Sequence, residues 1–308
     1  MYNIVKKIMA FSLLICIIII GNSGCVNQHP EGDKKTVIND LRQIPTLKNP
    51  RVVATSMATV EIMEKLNVDL VGVPDSKISK MPGKYKNVTK VGMAMAPDIE
   101  IVKGLNPDWI FSPVSLISDL QPKYSNANLR YGFLNLNNIP GMYKSIKDLG
   151  IILDREAEAD KLIKDYEDFM KDYKEKHKGK KKSRVLVLMG LPGSYIVATN
   201  QSYVGSLVEL AGAENVYTSN SDQFLNINTE DMLKKNPDII LRTAHALPDD
   251  VQKMFNDEFK NNDIWSHFDA VKNNKVYDLD YKAFGMSAKF NYPKALKDLD
   301  SILYGGDK

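Results

Sequence analysis

The sequence predicts an α/β protein of two lobes joined by a single long α-helix. Three observations carry that reading. Short β-branched runs such as RVVAT (51–55), VDLVGV (68–73), RVLVLMG (184–190) and PDIILR (237–242) alternate with stretches whose apolar residues fall at helical spacing. A proline-free, charge-rich stretch over residues 154–182 separates the first group of runs from the second. EIVKGLNPDWI (100–110) and EDMLKKNPDII (230–240) share the form E-x5-N-P-D, one on each side of that stretch.

The first 24 residues read as a leader. Lys6 and Lys7 precede IMAFSLLICIIII (8–20), an apolar run too short for a spanning helix, which ends at the small residues GNSG. Cys16 lies inside the leader, so the exported chain would hold one thiol, Cys25, at its first residue, and no internal disulfide. A leading cysteine after Ser23-Gly24 looks like a bacterial lipoprotein acylation site, although Asn22 stands where such sites usually have leucine. Palmitate-like chains on Cys25 would anchor it firmly, at ~0.8 kcal/mol per buried methylene. Residues 25–36 are polar and turn-rich, as a tether should be.

Residues 37–150 form the expected N-terminal lobe. RVVAT leads into the helix SMATVEIMEKLN, and VDLVGV, DWIFS (108–112) and LRYGFLNL (129–136) supply further strands. Such alternation predicts a parallel sheet covered on both faces. The helix start at Ser56-Met57-Ala58 has two readings: Ser56 as a simple N-cap, or the first amides as an anion site. Lys77 is a candidate charge partner there.

The linking helix is expected over 151–182. Ala157, Leu162, Ile163, Tyr166, Phe169, Met170 and Tyr173 recur at three- and four-residue intervals, giving about six or seven turns with one packed stripe. Its basic end, including His177, reads as solvated. Residues 183–308 form the C-terminal lobe, with SYIVAT (194–199) and KVYDLD (275–280) as additional strands. In the repeat, Asn-Pro stops a short helix and a strand begins after the Asp. Two similar αβ turns explain the N-P-D portion but not a glutamate at the same offset, Glu100 and Glu230. Matching elements on either side of a helix imply two lobes with a cleft between them.

Composition and motifs exclude several functions. With 44% hydrophobic and 26% charged residues and a net charge of +3, the chain is of ordinary globular type and calls for no nucleic-acid partner. There is no H-E-x-x-H, no G-x-S-x-G and no phosphate-cradling glycine loop, and the few, scattered histidines show no spacing of a three-histidine metal site. An enzyme is not expected. His267, beside Trp265 and Phe268, reads as structural, and Met189 as core. His245, alone after an apolar run, reads in isolation as an ordinary loop residue.

Four segments add a resemblance: GMAMAP (92–97), VLVLMGLPGSYIVATNQSYVGSLVELAGAENV (185–216), NTEDMLKKNPDIILR (228–242) and NDIWSHFDAVKNNKVYDL (262–279). Through them the chain resembles the substrate-binding lipoproteins of iron–siderophore, cobalamin and heme ABC importers, and within these the heme receptors. The resemblance implies two Rossmann-like lobes with heme b (iron protoporphyrin IX) held between them. One methionine before a proline in the first lobe, here Met95, and one histidine after the N-P-D strand, here His245, would be the axial ligands. Met93 departs from the pattern and adds a second thioether, on the same side as Met95 if the segment is extended. A thioether–imidazole pair favours reduced iron, and the weaker thioether suits a carrier that must release its cargo.

The propionates would meet the amides at Met57 and Ala58, with Lys77 as charge partner and Tyr195 lining the ring. Glu100 and Glu230 would dock onto a dimeric permease. The resemblance further implies a lipid-anchored monomer on the extracytoplasmic face of the cell membrane, supplied by upstream cell-surface heme carriers. Two alternatives stay open. A siderophore or cobalamin receptor of the same family would want cleft arginines, for which Arg242 is the one candidate. A heme-modifying enzyme is disfavoured because two axial side chains leave the iron no open position.

Overall fold

In the computed structural model of the chain, residue 47 and residues 49–76 and 79–305 are described. The expected leader, the tether with Cys25, and Lys77 lie outside them. The first half comprises β1 (Val52–Ala54), α1 (Met57–Lys65), β2 (Leu70–Val73), β3 (Thr89–Lys90), a small hairpin of β4 (Gly92–Met93) and β5 (Ala96–Pro97), α2 (Ile99–Gly104), β6 (Trp109–Pro113), α3 (Ile117–Asn126), β7 (Tyr131–Leu134) and α4 (Ile139–Ile152). Its sheet has the order β3-β2-β1-β6-β7, and every neighbouring pair is parallel. β1 and β6 are buried along their whole length, as strands sandwiched between two helical layers must be. Strand order reverses between β1 and β6, which makes their C-terminal ends the switch point of this sheet.

After α5 (Glu156–Lys176) the second half follows: β8 (Arg184–Leu191), β9 (Ser194–Ala198), α6 (Tyr203–Leu210), β10 (Glu214–Asn215), β11 (Phe224–Leu225), α7 (Thr229–Lys235), β12 (Ile239–Ala244), α8 (Pro248–Asn261), α9 (Asp269–Lys272), β13 (Val276–Asp278) and α10 (Tyr292–Tyr304). The second sheet runs β11-β9-β8-β12-β13, with β10 also on β8. It is not purely parallel, as the strand pattern suggested. β9 returns antiparallel on β8, because the two residues Pro192-Gly193 between them allow only a hairpin. A parallel return needs a crossover of a dozen residues or more. Gly193 takes φ 81° in that turn.

The linking helix is shorter than the 151–182 expected. Asp154, at φ 57°, ends α4, and the Arg155 amide closes that end by donating to Gly150 O at 2.7 Å. A Cβ on Gly150 would stand 2.7 Å from that of Ala159, so the two helices touch there at glycine distance. The packed stripe of α5 begins at buried Ala159 and not at Ala157, which is exposed. From Ala159 it runs through Leu162, Ile163, Tyr166, Phe169, Met170 and Tyr173 as expected.

α10 covers that stripe. Tyr166 stacks on Tyr143 of α4 with ring centroids 4.2 Å apart, and Tyr166 and Phe169 both meet Tyr292 edge-on. The segment leading into α10 bonds to the first half, with Ala288 N donating to Leu136 O at 2.7 Å. Its far end bonds to the second half, with Tyr304 OH donating to Ala211 O at 2.8 Å. The C-terminal residues therefore serve both lobes, and one apolar core runs from Val52 to Leu299 through both. His177 is drawn into this arrangement. Its side chain is 6% exposed, its Nδ1 donates to Tyr173 O at 2.7 Å, and its Nε2 stands 3.1 Å from Asp300. The solvated reading of His177 is corrected: α10, far away in sequence, covers it.

The internal repeat is one clasp used twice. Asn106 and Asn236 adopt the left-handed conformation, at φ 47° and 44°. Each frees the following Asp to accept from the backbone amide of an arginine that opens the neighbouring strand: Arg51 N to Asp108 and Arg184 N to Asp238, both at 2.8 Å. The arginine side chains donate in return to carbonyls of the same turns, Leu105 O at 2.7 Å and Asn236 O at 3.1 Å. β6 is thereby set beside β1 and β12 beside β8 in matching register. Both bonds lie at the protein surface, and removing such a carboxylate acceptor costs about 0.5–1.5 kcal/mol. Asp108→Ala and Asp238→Ala should each lower stability by that amount, read as a shift in the urea unfolding midpoint without change of slope.

A candidate ligand site at the strand ends

Apart from β8, which turns back through Pro192-Gly193, the parallel strands hand over to crossovers at their C-terminal ends, so the loops there collect on one edge of each lobe. Three of them hold the residues expected to bind. The first follows β1. Thr55 Oγ1 and Ser112 Oγ lie 2.7 Å apart and Ser112 reaches Tyr124 OH at 2.9 Å, a buried hydroxyl chain under the switch point. Ser56 caps α1, accepting from Thr59 N at 3.2 Å, and the first helical bond is Val60 N to Ser56 O at 2.9 Å. The amides of Met57 and Ala58 precede that ladder and belong to the turn whose N–H groups have no helical acceptor. The cap reading of Ser56 is thus realised, and it leaves those two amides for other use.

The second loop is the methionine hairpin. β4 and β5 pair Gly92 with Pro97 and Met93 with Ala96, leaving Ala94 and Met95 as a two-residue turn. Gly92 stands at φ 93°, where an added Cβ would come 3.1 Å from Ala96 O. The hairpin is tied down by Asp75 N to Gly92 O at 2.8 Å and Asp98 N to Val91 O at 2.7 Å. The segment is therefore not extended, and the inference that Met93 and Met95 point the same way loses its premise. Met93 lies in the strand and Met95 at the tip, 66% and 64% exposed.

The third loop follows β12. The His245 amide donates to Gly190 O at 3.0 Å, which fixes its backbone to β8, while its side chain is exposed. Two residues on, Leu247 takes φ 47° and ψ 61° just ahead of Pro248, the first residue of α8. That conformation costs a Cβ-bearing residue about 1–2 kcal/mol. Leu247 is also 57% exposed. Among the described residues the exposed large apolar side chains are Met93, Met95, Ile101 and Leu247. Three of the four therefore stand on the two loops expected to supply iron ligands.

Beside the third loop lies a cavity of about 390 Å³, bordered by Arg242, Ala244, Pro248, Gln252, Asp280 and Tyr281. Arg242 is fully committed there. It forks onto Asp278 with bonds of 2.7 and 2.6 Å, reaches Asn256 at 3.2 Å, and covers the Phe259 ring at 4.9 Å. The other described arginines are engaged as well. Arg51 and Arg184 form the clasps, Arg130 covers Trp109, and Arg155 binds Asp154 O.

Tyr195, expected to line a ligand ring, is built into the second core of the C-terminal lobe. Its ring lies against Phe255 and Trp265, and its hydroxyl donates to Glu258 at 3.0 Å. Trp265 Nε1 and Asn262 Nδ2 donate to the same carboxylate oxygen. Burial would push the Glu258 carboxyl up, but these three donors outweigh it and hold it below its ordinary value. Both ends of Tyr195 are thus occupied by packing. Met189 is fully buried core, and His267 is exposed on a short turn after α8.

Glu100 and Glu230 occupy equivalent first turns, of α2 and α7, each behind an N-capping Asp98 or Asn228. Both are exposed, and Glu100 carries a loose ion pair to Lys103 at 3.3 Å. Helix starts lie at the same strand ends as the three loops. Among the described residues no group of three His, Cys, Asp or Glu side chains is arranged to hold a bare metal ion. Also among them, no helix is long and apolar enough to cross a membrane. Leu247 escaped the sequence reading. Its signal was present in the order His-x-Leu-Pro at a strand end, which forces an apolar residue into a turn.

Comparison with known proteins fits this architecture. The high-affinity heme uptake system protein IsdE of Staphylococcus aureus (strain Newman) is 42% identical over 263 residues, covering 84% of this chain and 88% of that protein. A crystal structure of S. aureus IsdE complexed with heme matches with a TM-score of 0.78 and 42% identity, over 83% of this chain and 99% of that one. An ABC transporter substrate-binding protein from Listeria monocytogenes EGD-e matches with a TM-score of 0.80 and 48% identity, over 84% and 100% of the two chains. A family model for periplasmic binding protein matches residues 52–283, through both sheets and the helix between them, and the chain belongs to that family.

Proposed function

We propose that the protein is the heme receptor of an ABC importer. It takes up iron protoporphyrin IX at the strand ends, with the Met95 thioether and the His245 imidazole as axial ligands, and passes it to a permease. The observation that carries this reading is the pair of loops itself. An exposed thioether at a hairpin tip and an exposed imidazole at a strand end stand in a chain 42% identical to a protein crystallised with heme. Exposed sulfur and imidazole beside exposed aliphatic carbon suit a flat apolar macrocycle with a metal at its centre. They suit a hydroxyl-rich or strongly anionic ligand poorly.

The roles follow from the chemistry. Imidazole is the stronger and thioether the weaker ligand, and with both bound the iron has no position left for oxygen, so the site serves carriage. The propionates meet the Met57 and Ala58 amides, where the start of α1 favours an anion. Lys77, outside the described residues, is their charge partner. A siderophore would want free cleft arginines, and Arg242 is spent on Asp278. Cys25 holds the protein by its lipid at the extracytoplasmic face of the membrane, where it acts as a monomer loaded by cell-surface carriers. Glu100 and Glu230 dock onto the permease; the exposed Glu100–Lys103 pair is weak enough to be exchanged for a partner's cation.

Two experiments test this. Purified protein mixed with hemin should develop a sharp Soret band. His245→Ala should lose the low-spin spectrum and weaken binding by at least tenfold, and Met95→Ala should shift the band with a smaller loss. Absorption titration measures both, and wild-type spectra in both variants would end the assignment. The double variant Glu100→Lys with Glu230→Lys should bind hemin as wild type does yet fail to support heme-dependent growth. Lost hemin binding in that variant would refute the docking role.

A further inference from the structure

Leu247 combines features that the core of the molecule does not explain. Among the described residues, the other non-glycine positions with positive φ are Asn49, Asn67, Asn106, Asn128, Asp154, Asn236 and Asn274. All are Asn or Asp, the residues that tolerate the left-handed region by bonding to their own backbone. Leu247 alone brings a branched aliphatic side chain into it. The position is doubly unfavourable, since the residue ahead of a proline is driven toward extended conformations and Leu247 stands at ψ 61° before Pro248. Nothing inside the protein repays that arrangement, for the side chain is 57% exposed and belongs to none of the apolar cores. Strain held at an exposed residue points to a function of that residue.

The backbone of Leu247 is held in place. Leu247 O accepts the Val251 amide at 3.0 Å, so the residue caps α8 and cannot relax without loosening the helix start. On its other side, two residues away, His245 is tied to β8 through Gly190. Imidazole and leucine are thus presented from one short, rigid loop. Leucine has no polar atom and offers a ligand only aliphatic contact, which an apolar ring edge uses and a sugar or carboxylate does not.

We infer that Leu247 is the shield of the cargo site: it covers the porphyrin beside His245 and keeps water from the iron–imidazole bond. This rests on the heme reading above and adds to it a residue that sets how long the cargo is held. Removing the aliphatic contact should speed loss of heme by roughly tenfold, about what partial burial of a leucine contributes. The axial ligands themselves stay in place.

The test uses hemin-loaded wild type, Leu247→Gly, Leu247→Asn and Leu247→Met, with release followed by transfer to excess apomyoglobin. Leu247→Gly and Leu247→Asn should release heme about tenfold faster with unshifted Soret and visible bands, and Leu247→Met should stay near wild type. After reduction, the heme of the fast variants should also reoxidise faster. The melting temperature of the heme-free Leu247→Asn protein should be unchanged or up to about 3 °C higher, because the strain is relieved. Wild-type release from the Gly and Asn variants overturns the inference, as does a lower heme-free melting temperature for Leu247→Asn, which would make the side chain a packing element. The heme reading fails separately, if wild type develops no Soret band that depends on His245.

Discussion

A parallel strand cannot turn straight back beside its neighbour, and this one constraint arranges the whole molecule. With the exception of β8, which returns by a hairpin, the central strands leave their sheets through a loop, a helix and a return, so helix starts and strand ends accumulate along one edge of each lobe. The Ser56 turn, the methionine hairpin, the His245 loop, Glu100 and Glu230 all lie at such edges for that reason. The Arg51–Asp108 and Arg184–Asp238 clasps work at the opposite ends of the same strands. They set the register there and leave the binding ends free to carry chemistry.

Within the lobes the described arginines and Glu258 have found internal uses. The arginines clasp carbonyls, fork onto Asp278 or cover rings, and Glu258 is held by three donors. The binding loops show the reverse, with large apolar side chains standing in water. A molecule that spends its arginines internally and displays its thioethers and an aliphatic side chain is prepared for an apolar cargo.

Much of this was legible in the residues, because periodicity and stop signals act locally. β-branched runs marked the central strands, Asn-Pro-Asp marked both αβ turns, and helical spacing marked the stripe from Leu162 to Tyr173. What escaped depended on partners remote in sequence or on the sense of a single turn. His177 read as solvated because Asp300 and Tyr304, which enclose it, lie more than a hundred residues away. β9 read as one more parallel strand although Pro192-Gly193 already precluded it. Whether Met93 and Met95 shared a side hung on an extended segment, and the two-residue hairpin that removes that condition is invisible when only apolarity is counted. The cost at Leu247 was invisible for a different reason: a dihedral angle is no property of composition.

The position of α10 has a consequence for how the protein comes to be folded. Tyr143, Tyr166 and Phe169 find edge-on partners in Tyr292, and Tyr143 also in Phe290, more than a hundred residues further along the chain. The leading half of the chain therefore keeps an uncovered aromatic seam until α10 has been made. A polypeptide that is threaded through a narrow pore before it settles gains from that delay, since a segment remote in sequence closes the seam.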